Sequence, residues 1–195
     1  MRVLVTGKSG QLGLELSRAL APIGPVIATD RHDLNLEDID QIRARIREMA
    51  PDVILNAAAY TDVEKAESEP ERAHAINGVA PGAIAEEARR LGALLVHFST
   101  DYVFDGARDG AYVEGDPVNP LNVYGTSKAF GERAVLAVES DALIIRTSWL
   151  TRRTERIFSL ASSTGFVAMS HSKSSRIKLA RPPMRVMLPK RSRLS

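Results

Sequence analysis

No cysteine occurs in the 195 residues. That excludes a disulfide framework, a thiolate metal site and a thiol nucleophile. Long apolar runs are missing as well. Val3-Leu4-Val5 meets Gly7 almost at once, too short a run for a signal peptide, and nothing reaches the length of a membrane span. A cytoplasmic protein that makes no use of a membrane is expected. No internal repeat is visible, and tryptophan occurs once, at Trp149. Acid is almost absent from the end of the chain: residues 151–195 hold eleven Lys/Arg against Glu155 alone, a net of +10. Residues 1–150 hold 15 bases and 23 acids, a net of −8, so the basic pI belongs to the tail and not to a basic domain.

What is present up to residue 150 is an alternation. Short aliphatic or β-branched runs at 2–6, 25–29, 53–56, 93–99 and 142–147 have the character of parallel strands covered on both faces. Between them lie helical periods. Leu12, Leu16 and Leu20 share a face, as do Ile39, Ile42, Ile46 and Met49, with Pro51 ending that helix. Residues 70–91 are helical in character, although Gly78 and Pro81-Gly82 must kink or divide them. Residues 124–139 form a last helix before the final strand. Such alternation implies right-handed crossovers and an α/β doubly wound parallel sheet of Rossmann type, with helices on both faces. Residues 101–123 are long, polar and rich in Gly, Asp and Pro, which suggests a lid over a ligand crevice.

Gly7-Lys8-Ser9-Gly10-Gln11-Leu12-Gly13 follows the first strand and opens the first helix. Glycine belongs where a turn is tight and where backbone N–H groups must approach a pyrophosphate at a helix N-terminus. The order of Gly, Lys and Ser does not fit a P-loop, which needs a four-residue spacer before a terminal Gly-Lys-Ser/Thr. Asp30, ending the second strand, can accept from an adenosine ribose hydroxyl, which favours NADH; Arg31 beside it could meet a 2′-phosphate. NADH and NADPH both stay open.

Tyr124 and Lys128 are four apart on a predicted helix and so share a face. A tyrosine near pKa ~10 is a poor acid–base group at neutral pH unless a cation lowers it. Lys128 is expected to supply that charge and to bind the nicotinamide ribose. Thr100 ends the fourth strand, where its hydroxyl could hold a substrate carbonyl. In isolation a Tyr-x-x-x-Lys pair is an ordinary exposed helix pair. With a glycine loop and a strand-end hydroxyl in register, it predicts a nicotinamide-dependent reductase.

With these residues in place, the chain resembles the extended short-chain reductases, and within them the dTDP-4-dehydrorhamnose reductases. The resemblance covers nearly all of residues 1–150. It rests on 7–13, on Asn56-Ala57-Ala58-Ala59-Tyr60-Thr61, on Lys65-Ala66-Glu67-Ser68-Glu69-Pro70 and on Ser99-Thr100-Asp101-Tyr102-Val103-Phe104. Pro120-Leu121-Asn122-Val123-Tyr124-Gly125 and Arg146-Thr147-Ser148-Trp149 complete it. The family reduces the 4-keto group of dTDP-4-dehydrorhamnose, giving dTDP-rhamnose for surface polysaccharide. The resemblance implies that Gly10, Gln11 and Leu12 meet the pyrophosphate and Asp30 the ribose, with Asp33 and Leu34 beside the adenine. Ala59, Tyr60 and Thr61 would lie along the cofactor. Thr100, Tyr124 and Lys128 would be catalytic, with Asp101 and Trp149 touching the sugar. It also implies a Mg²⁺ ion at a homodimer interface through Glu15, whose partner carboxylates would come from a C-terminal region. A non-catalytic cofactor-binding subunit, or a reductase or epimerase of another nucleotide sugar, are the competing functions. The intact Thr100, Tyr124 and Lys128 favour the enzyme.

After Leu150 the resemblance stops. Residues 151–195 are a basic Ser/Arg/Pro-rich tail without clear periodicity. A nucleic-acid or membrane tail, a disordered extension and an out-of-frame translation compete. The bases ACG CGG CGG ACG GAA CGA ATT TTT encode residues 151–158. With one T in front they encode tyrosine, two alanines, aspartate, glycine, threonine, asparagine and phenylalanine, which is what the family pattern asks for. The expected organisation is therefore an NAD(P)-binding domain over 1–150 and an out-of-frame, disordered 151–195. The fold would be truncated before the C-terminal substrate segment, with the outer sheet edge uncovered, no nucleic-acid partner and impaired turnover.

Overall fold

In the computed structural model, residues 1–148 and the backbone of the strand Phe166–His171 are described. The chain runs β1 (Val3–Thr6), α1 (Gln11–Leu20), β2 (Val26–Thr29), α2 (Ile39–Met49), β3 (Val53–Asn56), α3 (Val63–Ala66) and α4 (Pro70–His74). A π-helical turn (Ala75–Val79), α5 (Ala80–Leu91), β4 (Leu94–Thr100), a 3₁₀ turn (Asp101–Val103), α6 (Val123–Ala137), β5 (Ala142–Thr147) and β6 (Phe166–His171) follow. The strands form one sheet in the order β2-β1-β3-β4-β5-β6, with the first five parallel.

The strands are apolar on both faces because both faces are covered. Leu4, Ile54, Leu95 and Ile144 pack with Ile42 and Ile46 of α2, Ile84 and Ala88 of α5 and Val135 of α6. Val3, Val5, Leu55 and Val96 point the other way and meet Leu16 and Leu20 of α1. The doubly wound sheet expected from the alternation is therefore present. No helix among the described residues is long and apolar enough to cross a membrane.

Three local details differ from the sequence reading. Residues 70–91 are not divided: the helical path continues through the π turn Ala75–Val79 into α5. Pro81 has no N–H to give to the Asn77 carbonyl, and a widened turn absorbs that missing bond. Residues 101–123 are anchored as well as polar. Phe104 stacks on Tyr112 with ring centroids 4.1 Å apart, and both pack with Val103 on Ala129 of α6. Third, the outer edge of β5 is paired. β6 runs antiparallel to it, from Ala142 opposite His171 to Thr147 opposite Phe166. The uncovered edge and the wholly unstructured tail are thereby corrected. An otherwise unpaired row of N–H and C=O groups on β5 takes up an apolar stretch of the tail. The rest of the tail lies outside the described residues.

Candidate active site

The chain leaves β1 for β2 on one side, then crosses to β3 on the other, so the sheet order reverses between β1 and β3. Crevices at such reversals, beyond the carboxyl ends of the strands, are where doubly wound sheets bind ligands. Here the walls are the 7–13 loop and the segment after β3. They touch closely at Gly7, which has φ +77° and whose added Cβ would come within 2.9 Å of the Ala58 Cα. At Gly13 an added Cβ would fall 2.1 Å from the Gly7 carbonyl oxygen, so α1 starts tight against its own loop.

The start of α1 is also uncapped. Gly10 is its N-cap and contributes no side-chain bond, whereas Asp38 caps α2 and Asn122 caps α6. Free N–H groups at Gln11, Leu12 and Gly13 converge with the positive end of the helix, which fits a pyrophosphate. Asp30 stands at the end of β2 as expected. Its Oδ1 accepts from the His32 N–H at 2.9 Å, and that bond above all holds the carboxyl below its usual range. Asp33 accepts from the Asp30 N–H at 3.1 Å and from Lys8 Nζ at 2.6 Å, and Lys8 also reaches Asp30 at 3.3 Å. The Leu34 side chain is buried in the core.

After β3, Ala59 and Tyr60 are half-buried and Thr61 is exposed. The Tyr60 hydroxyl donates to Glu69 at 2.9 Å. A residue the sequence did not single out holds this segment. Asn77, on the π turn, accepts from the Tyr60 N–H at 2.8 Å and donates to the Tyr60 carbonyl at 2.9 Å and to Ser127 Oγ at 3.0 Å. Ser127 in turn donates to the Tyr124 carbonyl at 2.7 Å. The only signal in the sequence was a lone amide inside an apolar helical run.

Thr100 and Tyr124 are brought together. Thr100 ends β4, donates to Asp101 Oδ1 at 3.1 Å and accepts from the Tyr102 N–H at 3.2 Å. Tyr102 meets the Tyr124 ring edge-on at 5.6 Å. The approach depends on Gly125, where an added Cβ would lie 2.2 Å from the Tyr102 carbonyl oxygen. Burial pushes the Tyr124 hydroxyl above its ordinary range, and the Thr100 hydroxyl pulls the other way. Burial likewise raises Asp101.

Lys128 shares the helix with Tyr124. Its Nζ is buried and donates to the Phe98 carbonyl at 2.6 Å, so the ammonium is engaged beneath α6. Burial brings the lysine down to about 8, with Glu132 pulling it back up. Glu132 and Arg146 form a buried two-pronged pair at 2.8 and 2.6 Å, with the Arg146 guanidinium 4.9 Å from the Phe104 ring centre.

Two expected residues remain. Glu15 pairs with Arg18 at 3.1 Å, and no cluster of three metal-ligating side chains occurs among the described residues, so the donor set expected for Mg²⁺ is not assembled there. Trp149 lies outside the described residues.

Residues 1–170 match the family model described as RmlD substrate binding domain. Over 154 residues the chain is 47% identical to dTDP-4-dehydrorhamnose reductase of Escherichia coli, covering 77% of this chain and 52% of that protein. The enzyme of Burkholderia thailandensis is 45% identical over 150 residues, 77% of this chain and 50% of its own length. Among solved structures, the dTDP-4-dehydrorhamnose reductase of Clostridium acetobutylicum superposes with a TM-score of 0.74 at 39% identity, covering 76% of this chain and 54% of that one. The reductase of Bacillus anthracis in complex with NADP gives 0.71 at 37% identity, over 74% and 52%. The chain spans about half the length of the curated relatives it matches.

Proposed function

Since the chain belongs to the RmlD substrate binding domain family, we propose that it is the cofactor-binding and proton-donating part of an NAD(P)H-dependent dTDP-4-dehydrorhamnose reductase. The observation that carries this reading is the packing of Tyr124 against Tyr102, whose N–H bonds the Thr100 hydroxyl at the end of β4, together with an uncapped, glycine-opened helix after β1. A pyrophosphate fits the free N–H groups of Gln11, Leu12 and Gly13, with Gly7, Gly10 and Gly13 giving the close approach and the Gly10 N–H closing the turn onto the Gly7 carbonyl at 2.9 Å. Asp30 would take the adenosine ribose, the backbone of Asp33 and Leu34 the adenine edge, and Ala59, Tyr60 and Thr61 the length of the cofactor. Reduced nicotinamide, when bound, supplies the hydride.

The chain's own residues then handle the substrate oxygen and its proton. The Thr100 hydroxyl holds the 4-keto oxygen by donating to it. Tyr124 Oη gives that oxygen its proton; burial keeps the phenol protonated, and the negative charge growing on the substrate oxygen, not an acidic phenol, draws the proton across. Lys128 would bind the nicotinamide ribose, a ribose hydroxyl replacing the Phe98 carbonyl as its acceptor. Asp101 adjoins Thr100 and would touch the sugar, and Trp149 would complete that wall.

The test is direct. Loss of reduced-nicotinamide absorbance with dTDP-4-dehydrorhamnose should report slow turnover by the 195-residue chain. Tyr124→Phe should lower it about 10²- to 10⁴-fold while leaving cofactor affinity unchanged. A chain that binds neither NADH nor NADPH, or a Tyr124→Phe variant with full turnover, would contradict the proposal.

A further inference from the structure

We infer that the Lys8–Asp33 ion pair sets how well the adenosine end of the crevice takes a 2′-phosphorylated ribose, with Lys8 admitting the phosphate and Asp33 restraining it. This rests on the dinucleotide reading above and adds to it which residues divide NADH from NADPH.

The three groups come from separate places: Lys8 from the loop after β1, Asp30 from the end of β2, and Asp33 from the turn that follows. The two carboxylates are fixed by that turn. Asp30 Oδ1 accepts from the His32 N–H at 2.9 Å, and Asp33 Oδ2 accepts from the Asp30 N–H at 3.1 Å. Lys8 is the movable member. Its side chain is 40% exposed, and among the described residues its ammonium is held by the two acids alone, Asp33 at 2.6 Å and Asp30 at 3.3 Å. The other charges nearby are Arg31, next in sequence to Asp30, and Arg45, whose charge acts on Asp33.

A ribose 2′-hydroxyl asks little of this arrangement. It can donate to Asp30 while Lys8 stays on Asp33. A 2′-phosphate is different, because two carboxylates already stand at that end and like charges repel unless a cation intervenes. Lys8 is that cation, on a flexible stem, one reorientation away from the phosphate. Asp33 must release it first. The acid and the phosphate thus compete for one ammonium, and the two residues bias the same choice in opposite directions.

Two variants read this out on the 195-residue chain by binding alone. NADH, NADPH and 2′,5′-ADP are titrated by calorimetry against the parent chain, Lys8→Met and Asp33→Asn. Asparagine keeps an acceptor for the Asp30 N–H, and both sites are exposed enough that folding, followed by circular dichroism, should be retained. Lys8→Met is expected to weaken NADPH and 2′,5′-ADP about tenfold or more, with NADH changed less than about threefold. Asp33→Asn is expected to tighten NADPH and 2′,5′-ADP by about three- to tenfold. If Lys8→Met does not fold, the gain in Asp33→Asn decides alone. An unchanged NADPH-to-NADH ratio in the folded variants, or a loss of NADPH affinity in Asp33→Asn, overturns the inference and leaves the dinucleotide reading standing. A parent chain that binds no dinucleotide overturns both.

Discussion

Lys128 is an expensive residue to keep where it is. It is fully buried, among the described residues its hydrogen-bond partner is a neutral carbonyl, and its proton is held at about 8 instead of 10.5. Because the folded value lies below the unfolded one, the unfolded chain binds more protons between about pH 8 and 10.5, and stability rises with pH across that window. Below pH 8 the full penalty of the buried charge is present. Lys128→Met should therefore be more stable than the parent at pH 7, by about 1–2 kcal/mol after the lost bond to Phe98 is allowed for. The advantage should shrink toward zero near pH 10, as seen in urea midpoints at the two pH values. A variant less stable at pH 7 would mean that the lysine serves the fold and not the site. The spacing of Tyr124 and Lys128 was legible in the sequence, but the partner of Lys128 was not. Which atom a buried ammonium faces depends on β4 passing beneath α6, and no local pattern records that. Asn77 escaped for the same reason: its three bonds join segments distant in sequence.

Among the elements, α6 carries the most. It presents Tyr124, covers Lys128, and is tied to β5 through Glu132 and Arg146, both nearly free of water contact. Removing one member of such a pair leaves a buried charge alone. Glu132→Ala is expected to cost about 3–5 kcal/mol, whereas the paired change Glu132→Leu with Arg146→Met should recover most of that loss. Chemical denaturation of the three chains checks it, and a double variant as unstable as the single one would contradict it. The 101–123 segment depends on the same pair, because Phe104 lies against the Arg146 guanidinium. That anchoring could not be read from a stretch rich in Gly, Asp and Pro. The caps of α2 and α6, by contrast, follow from Asp38 and Asn122 at the right offsets. The four-residue α3 is too short to show a period, although Asp62 caps it.

At the scale of the whole molecule, the five parallel strands were legible because each is a short apolar run framed by a helical period. Two of them, β3 and β5, carry the bounds read from the sequence. β6 was not foreseen, since its apolar run sits inside a basic, aperiodic tail. Its pairing along the whole of β5 predicts what its loss would do. A chain ending at Ser148 leaves the outer edge of β5 bare and should scatter more light than the 195-residue chain at equal micromolar concentration. Equal scattering would show that the edge needs no cover.

The strand order also has a consequence for how the molecule is made. From β2 onward, every strand pairs with one already synthesised: β2 and β3 flank β1, and β4, β5 and β6 then add outward one at a time. A chain emerging from a ribosome can extend this sheet in the order it is translated, without holding an early strand open for a late partner. The crevice between β1 and β3 is complete once the first sixty residues or so are out, while α6 docks near the end. The nucleotide-binding cleft is thus built before the helix that would act on it, and a nascent chain could be steadied by its ligand before it can do any chemistry.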